Sequence, residues 1–435
     1  NDALVLKNST PLHLLQRFVP LFYLSALRDA SQEFGQRGQF WNGFLKSIQL
    51  PDDQRENLEQ MLQEVNKAVI GANEGLNQVV QQIANANRLV PLNAADPVVL
   101  EAIPTRIFDI VGKVQVFLKS SLGAKLPLQR YGEGTQSIAV LLLFQAFAEV
   151  NLAEAYDPDS FPILALEEPE AHLHPSAIRS LGLFLKEMSG QKIVSSHSGD
   201  LVSRISIFSI RRLYKDGNET KIGMIESGQL SDRELQAIDY NVRLTRGAYL
   251  FSRCWLLVEG ESDFHIIPLI GEVLGYSQDQ TSFSVLEISQ VIDKGEPFIK
   301  TAKALGIQWF MIADGDAEGV GYTKRAENYL EPGESLSDRA LNLPSVDIEH
   351  EFWHNGFDAF IKNMVSGAGQ ADIQTNAAGD AIKETKLLIK AAIKAAGGKP
   401  AFARSLVAEA TVRGPASVPQ SIQDIFVRVA KLVGE

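Results

Sequence analysis

Short apolar runs alternate with amphipathic stretches along most of this chain. Cys254 to Val258 is unbroken, and Ile307 to Ile312 is interrupted only by Gln308. Runs of this length predict strands buried on both faces, as in a parallel sheet. Phe161 to Leu166 also reads as a buried strand, and Leu21 to Leu24, Lys192 to Ser196 and Ser282 to Ile288 read as strands. Between them lie helical patterns at Ile138–Val150, Ser231–Arg246, Phe264–Leu274 and Pro297–Leu305. In the segment 31–122, Leu58, Met61, Leu62, Val65 and Val69 recur at helical spacing, and Pro91 and Pro97 break the pattern further on. Ile207 to Tyr214 and Lys221 to Ile225 predict a hairpin around Asp216-Gly217-Asn218. Alternating strands and helices imply an α/β fold with mostly parallel sheets.

Carboxylates gather where these strands end. Glu259, Gly260, Glu261, Ser262 and Asp263 follow the run that closes at Val258, and Asp314-Gly315-Asp316 follows the run that closes at Ala313. Open α/β sheets place their sites at the carboxyl ends of strands. A glutamate on one strand end and an Asp-x-Asp on another can hold one or two hard divalent cations through oxygen. Two such ions can clamp the attacking and leaving oxygens of a phosphoryl displacement. The bland alternative is a set of solvated turn acids. Further on, Asp347 and Glu349 fall on one face if Val346 and Ile348 mark a short strand.

A second constellation lies upstream. The strand at Phe161–Leu166 runs into Glu167-Glu168-Pro169-Glu170, and the strand at Lys192–Ser196 ends at His197. Ahead of both, Gly132, Gly134 and Gln136 open an apolar helix. His172 and His174 stand two apart, but no cysteine or third ligand has the spacing of a zinc site.

The Glu-Gly-x-x-Asp and Asp-x-Asp pair resembles the Toprim domain over roughly residues 250–360. The upstream order resembles that of ABC-type ATPases: signature loop, Walker B, switch histidine. An ABC-type lobe followed directly by Toprim resembles the OLD (overcoming lysogenization defect) family of nucleases. The implied fold is α/β: a partial ABC-type ATPase lobe with an α-helical insert, then a parallel α/β Toprim domain and a helical tail. The implied boundaries are 1–30 for the first part of the lobe, 31–122 for the insert, 123–248 for the second part of the lobe, and 249–435 for the Toprim domain with its tail. The insert resembles the family's dimerisation arm, which implies a homodimer.

The resemblance implies roles. Glu259, Asp263, Asp314 and Asp316 hold one or two Mg²⁺ or Mn²⁺ ions and are catalytic, and Asp347 and Glu349 complete a second metal site. Glu167 holds the Mg²⁺-water shell of ATP, Glu168 polarises the attacking water, His197 contacts the γ-phosphate, and Gly134 and Gln136 meet a partner's nucleotide. Glu167 departs from the aspartate usual at that place. A basic residue of the tail meets the scissile phosphate, and Lys399 is the candidate. The implied function is metal-dependent DNA endonuclease activity, regulated by ATP, in DNA repair or anti-phage defence. The lack of a helicase motif fits the class with a separate helicase partner, as in the Gabija system. The alternative is an ATP-gated DNA-binding clamp, or a nucleotide-sensing regulator whose Toprim domain is non-catalytic.

No Gly-x-x-x-x-Gly-Lys-Ser/Thr occurs in the chain. The expectation is a fragment that lacks the amino-terminal P-loop part and binds ATP poorly by itself. In the tail, Lys386, Lys390 and Lys394 share one helix face at i, i+4, i+8, and Lys399 and Arg404 follow. Such a stripe can hold a phosphate backbone or be an ordinary solvated face.

Composition changes this picture little. The 435 residues suffice for two or three cores. The net charge of −12 disfavours a simple nucleic-acid binder, but carboxylates at a metal site account for part of it, and bound cations reverse their sign locally. With 45% apolar residues and a mean hydropathy of −0.03, no run suits a membrane span. The single Cys254 fits a reducing, cytoplasmic location.

Overall fold

In the computed structural model of the chain, the apolar runs form two parallel sheets, each in its own compact unit, residues 1–197 and 198–435. The structure describes residues 18–25, 50–85, 101–107, 109, 116–119, 125–155, 160–188, 190–245, 247–289 and 291–434. The start of the expected lobe before residue 18, its residues 26–30, the insert residues 31–49 and the breaks at Pro91 and Pro97 lie outside them.

The first unit contains β1 (Leu21–Leu24), α1 (Asp52–Gly71), α2 (Glu74–Asn85), the antiparallel pair β2 (Phe117–Lys119) and β3 (Lys125–Pro127), α3 (Glu133–Ala155), β4 (Ile163–Glu167), α4 (Pro175–Glu187) and β5 (Gln191–Ser195). Its sheet has the order β1-β4-β5, all parallel. α3 buries Val140, Leu141, Leu143 and Phe144, and Phe144 meets Phe22 of β1 edge to face at 5.3 Å. In α1 the burial is polar: Asn66 receives the backbone N–H groups of Ala102 and Ile103 at 2.8 and 2.9 Å and donates to the Ile103 carbonyl at 2.6 Å. These bonds satisfy an amide that would otherwise be costly to bury. The apolar stripe Leu58, Met61, Val65 and Val69 stays exposed.

After a short helical turn at Gly199–Val202, the second unit carries the hairpin β6 (Arg212–Asp216) and β7 (Glu219–Gly223) and α5 (Asp232–Leu244), which opens on a Ser231/Glu234 capping box. The hairpin is shorter than its apolar pattern, because Ile207–Ser209 turns as a single 3₁₀ loop. Then come β8 (Cys254–Val258), α6 (Glu261–Val273), β9 (Phe283–Glu287), α7 (Glu296–Leu305), β10 (Gln308–Ala313), α8 (Ala317–Ala326), β11 (Ala340–Asn342) and the short helices α9 (Ile348–Phe352) and α10 (Asp358–Asn363). The tail is α11 (Gly367–Ala377), α12 (Ala381–Ala396), α13 (Lys399–Arg413) and α14 (Gln420–Val433).

The sheet order is β11-β10-β8-β9, all parallel, with β8 and β10 in the middle. Alternation along β8 divides two cores. Cys254, Leu256 and Val258 pack with Ile266 and Ile270 of α6, Phe402 and Leu406 of α13, and Phe426 of α14. Trp255 and Leu257 face the other way, toward Ile238 and Val242 of α5 and Phe298 and Ile299 of α7. Both faces of β8 are therefore covered, and its run is apolar throughout. Burial pushes the Cys254 thiol up to about 12, so it packs as a small apolar group.

The segment 198–248 was expected as the end of the lobe, and its apolar residues Ile225, Leu230, Ile238 and Val242 lie in the second unit's core. Arg212 fastens it there. Its guanidinium donates to the carbonyls of Ser252 and Gly306 at 2.9 Å, and to those of Leu250 and Leu305 at 3.3 Å.

Candidate active site

Glu259 and Asp314 are the first residues beyond β8 and β10. Parallel pairing sets Val258 beside Ile312, which brings the two strand ends together. The Glu259 carboxylate accepts the Asp314 backbone N–H at 2.9 Å. Asp316 caps α8, accepting the N–H groups of Glu318 and Gly319 at 2.8 Å each. Asp263, in the first turn of α6, is buried. One of its oxygens accepts the Gly260 N–H at 3.1 Å, and the other has no partner.

The third acidic motif reaches this place through Gly315. The Gly315 N–H donates to the Ser345 carbonyl at 3.0 Å. A Cβ at Gly315 would lie 2.3 and 2.4 Å from the carbonyl oxygens of Ser345 and Leu343. Only glycine lets the two segments cross this closely, which is the structural reason for the middle residue of Asp-Gly-Asp. Two residues past Ser345, Asp347 starts a helix. The expected strand at 346–349 is absent because the Asp347 side chain caps α9, accepting the His350 N–H at 2.7 Å and pairing with its ring Nδ1 at 2.6 Å. Glu349 is buried within α9 and accepts the Ser262 hydroxyl at 2.5 Å.

These carboxylates act on one another. Burial, then the charge of Glu349, pushes Asp263 up to about 7. Burial, then the charges of Asp263, Glu259, Asp347 and Glu349, pushes Asp314 up to about 8. Glu259 is raised by burial and by Asp316 and Glu318, against the bond from Asp314 and the charge of Lys294. Glu349 is raised by burial and by Asp347. Asp347 goes the other way: burial opposes its charge, but the bonds from His350, and then Lys399, outweigh it.

The donor set suits a hard cation in chemistry and in charge: an unpartnered buried carboxylate oxygen lies among acids that hinder one another's ionisation. Among the described residues no three acidic, histidine or cysteine side chains already stand as a ligand group. Glu259, Asp316 and Asp347 each give an oxygen to a protein donor instead.

The tail residues divide. Lys399 is the first residue of α13, and its charge reaches Asp347 and Glu349. Lys386, Lys390 and Lys394 lie exposed along α12, and Arg404 is exposed on α13. None of these four makes an ion pair among the described residues. Ser262, His350 and Lys294 were not singled out by the sequence. Ser262 lay inside the first acidic motif, and His350 stands three residues after a capping Asp347. For Lys294 no local signal existed.

In the first unit, β4 and β5 bring the other constellation together. Glu167 lies beside Ser195 in register, and the Tyr23 hydroxyl from β1 donates to it at 2.5 Å. Glu168 has a left-handed φ of 43°. Its carboxylate receives the His197 N–H at 3.3 Å and lies 3.4 Å from the His197 ring. Burial and the neighbouring Glu170 raise its pKa. Gly134, in the first turn of α3, rests against the His172 carbonyl. Gln136 braces its own loop, donating to the Tyr131 carbonyl at 2.7 Å and that of Gln129 at 3.3 Å. His172 pairs with Glu133 at 2.9 Å, and His174 caps α4.

With this geometry in view, the likenesses to other proteins fall into place. Residues 250–316 match the family described as "Overcoming lysogenization defect protein-like, TOPRIM domain". The chain carries an OLD-family Toprim domain. Residues 121–248 match a family described as "Protein of unknown function (DUF2813)". The uncharacterized protein YbjD of Escherichia coli K12 is 29% identical over 303 residues, covering 69% of this chain and 52% of that protein. The Old nuclease of Escherichia phage P2 is 26% identical over 271 residues, covering 60% of this chain and 44% of the nuclease. This chain thus spans about half the length of these relatives. A solved C-terminal region of the Burkholderia pseudomallei OLD protein aligns over 42% of this chain and all of that one, with 18% identity and a TM-score of 0.34. No helix among the described residues is long and apolar enough to cross a membrane.

Proposed function

We propose that the second unit is the cleavage domain of a metal-dependent DNA endonuclease, and that the first unit is part of an ABC-type ATPase that regulates it in DNA repair or anti-phage defence. The observation that carries the reading is that the charges of Asp263, Glu259, Asp347 and Glu349 all bear on Asp314, while a buried oxygen of Asp263 has no partner. Glu259, Asp314 and Asp316 would supply the main ligands to Mg²⁺ or Mn²⁺, with Asp263, Asp347 and Glu349 completing a second position. Such an ion, when bound, polarises the phosphoryl group and lowers the pKa of water. Asp263 and Asp314 would give up their protons as the cation arrives. Ser262 holds Glu349 in place and His350 holds Asp347, and Lys399 meets the negative charge that grows on the phosphate during attack. Plasmid incubated with this chain and Mg²⁺ or Mn²⁺ is expected to be nicked or linearised, and EDTA to prevent it. Intact plasmid under all metal conditions would favour a nucleotide-sensing regulator instead.

In the first unit, Glu168 and His197 are close enough to share the task of positioning a water at a nucleotide's γ-phosphate, with Glu167 on the Mg²⁺ shell.

The basic tail is proposed to track the DNA backbone. Changing Lys386, Lys390 and Lys394 together to Glu should weaken DNA binding and flatten its salt dependence, by a slope of about 0.9 per lost phosphate contact. Lys399→Ala should lower the cleavage rate more than the binding. An unchanged salt slope in the triple variant would reduce the stripe to a solvated face.

A homodimer through α1 and α2 is also proposed, because Met61 (55% exposed), Val65 (47%) and Val69 (44%) form an uncovered apolar stripe at helical spacing. Light scattering at micromolar concentration is expected to give twice the 47.7 kDa chain mass. A purely monomeric mass would count against it.

A further inference from the structure

The loop that follows β9 carries a lysine with no role so far. β9 lies beside β8 in the parallel sheet, so this loop leaves it at the same end of the sheet as Glu259. Within the loop Asp293 and Lys294 both have φ of 52°, in the left-handed region. Residues with a Cβ seldom adopt it, and two in succession are rarer still. Strain of this kind gathers where the surrounding structure must hold a side chain in one place.

What the strained pair places is an ammonium. Lys294 Nζ donates to the Glu318 carbonyl at 3.1 Å, stands 3.8 Å from the Glu318 carboxylate, and lies 4.5 Å from the centre of the Tyr322 ring. Gly321 leaves it room, since a Cβ there would come within 3.1 Å of Nζ. Arg325 holds Asp293 at 3.5 Å. An ammonium has three donors, and the Glu318 carbonyl takes one. The Lys294 charge reaches Glu259, while that of Lys399 reaches Asp347 and Glu349. The acid cluster therefore has a cation acting on each of these two carboxylate groups.

We propose that Lys294 is a backbone-phosphate contact for nucleic acid at the Glu259 side of the site, held there by the left-handed Asp293–Lys294 pair. This rests on the nuclease reading above. A phosphate passing Glu259 would take the donors that Glu318 leaves, and would gain from a point charge already ordered.

Cleavage kinetics and melting of the full chain with Mn²⁺ test it. Lys294→Met is expected to raise KM about tenfold with kcat nearly unchanged, and to make the salt dependence of kcat/KM shallower by a slope of about 0.9. Lys294→Gly should raise KM equally while its melting temperature holds or rises, because glycine relaxes the left-handed position. If Lys294 only ties the loop to α8, both variants will melt lower and keep the wild-type KM and salt slope. That result overturns the inference and leaves the nuclease reading intact. Failure of the wild-type chain to cleave overturns both.

Discussion

Asp314→Asn and Glu259→Gln are each expected to lower metal-dependent DNA cleavage by at least about a hundredfold, the upper range seen when even outer partners of metal ligands are removed. Both carboxylates stand at adjacent ends of central strands, and both are proposed as main oxygen ligands. The amide variants separate chemistry from folding. Glu259→Gln keeps an oxygen that can accept the Asp314 N–H, now received at 2.9 Å, so the link between the two strand ends survives while the charge is lost. Asp314→Asn keeps the side-chain volume of the aspartate in its half-buried place. Circular dichroism should therefore match the wild type, and melting in EDTA at neutral pH should be no lower. Supercoiled plasmid followed over time with Mn²⁺ gives the rate. Wild-type cleavage by either folded variant would remove the acid cluster from the chemistry.

Metal-free stability is expected to fall as pH rises from about 4 to about 8. The ordinary carboxyl value of an aspartate is 3.8, whereas the folded chain holds Asp263 at about 7 and Asp314 at about 8. Across that window the folded chain keeps protons that the unfolded chain has released. Stability is then greatest near the unfolded value and declines until the raised carboxyls have also ionised. Asp347, Glu234 and Glu334 have lowered values, so their stabilising contributions are lost only in acid, below this window. A cation that neutralises the cluster should reverse the decline. At a hundred times its Kd it would add about 2.7 kcal/mol. Melting scans in EDTA and in Mn²⁺ at pH 5, 6, 7 and 8 measure both effects. Asp314→Asn should flatten the EDTA profile and shrink the metal-induced rise. A flat EDTA profile with no metal response would refute the electrostatic account of the cluster.

Much of this was legible along the chain. Strands buried on both faces leave unbroken apolar runs, so β8 and β10 were located to within a residue or two. Helices leave a spacing, as α5 did within Ser231–Arg246. The acids after Val258 and Ala313 announced themselves because chain order alone puts them at strand ends. Other features were hidden. Asp347 and Glu349 looked like one face of a strand, because an alternation of four residues cannot compete with a cap whose partner, the His350 N–H, is visible only once the backbone turns. β11, three residues long, had too few positions to show a period.

The sequence by itself determined the element types, the parallel character of the sheets and the identity of the acids, since these depend on local periodicity and on residue chemistry. Only the tertiary structure decided which groups meet. It put β8 beside β10, and so Glu259 against the Asp314 backbone. It crossed Gly315 over Ser345, which carried Asp347 to the cluster. It drew the segment 198–248 into the second core through the carbonyls that Arg212 gathers. It set Lys294 near Glu259 and Lys399 near Asp347. Each of these is a meeting of residues separated by 30 or more positions. Pairings at that range leave no period in a sequence, because they are fixed by the packing of whole elements and not by the neighbours of either residue.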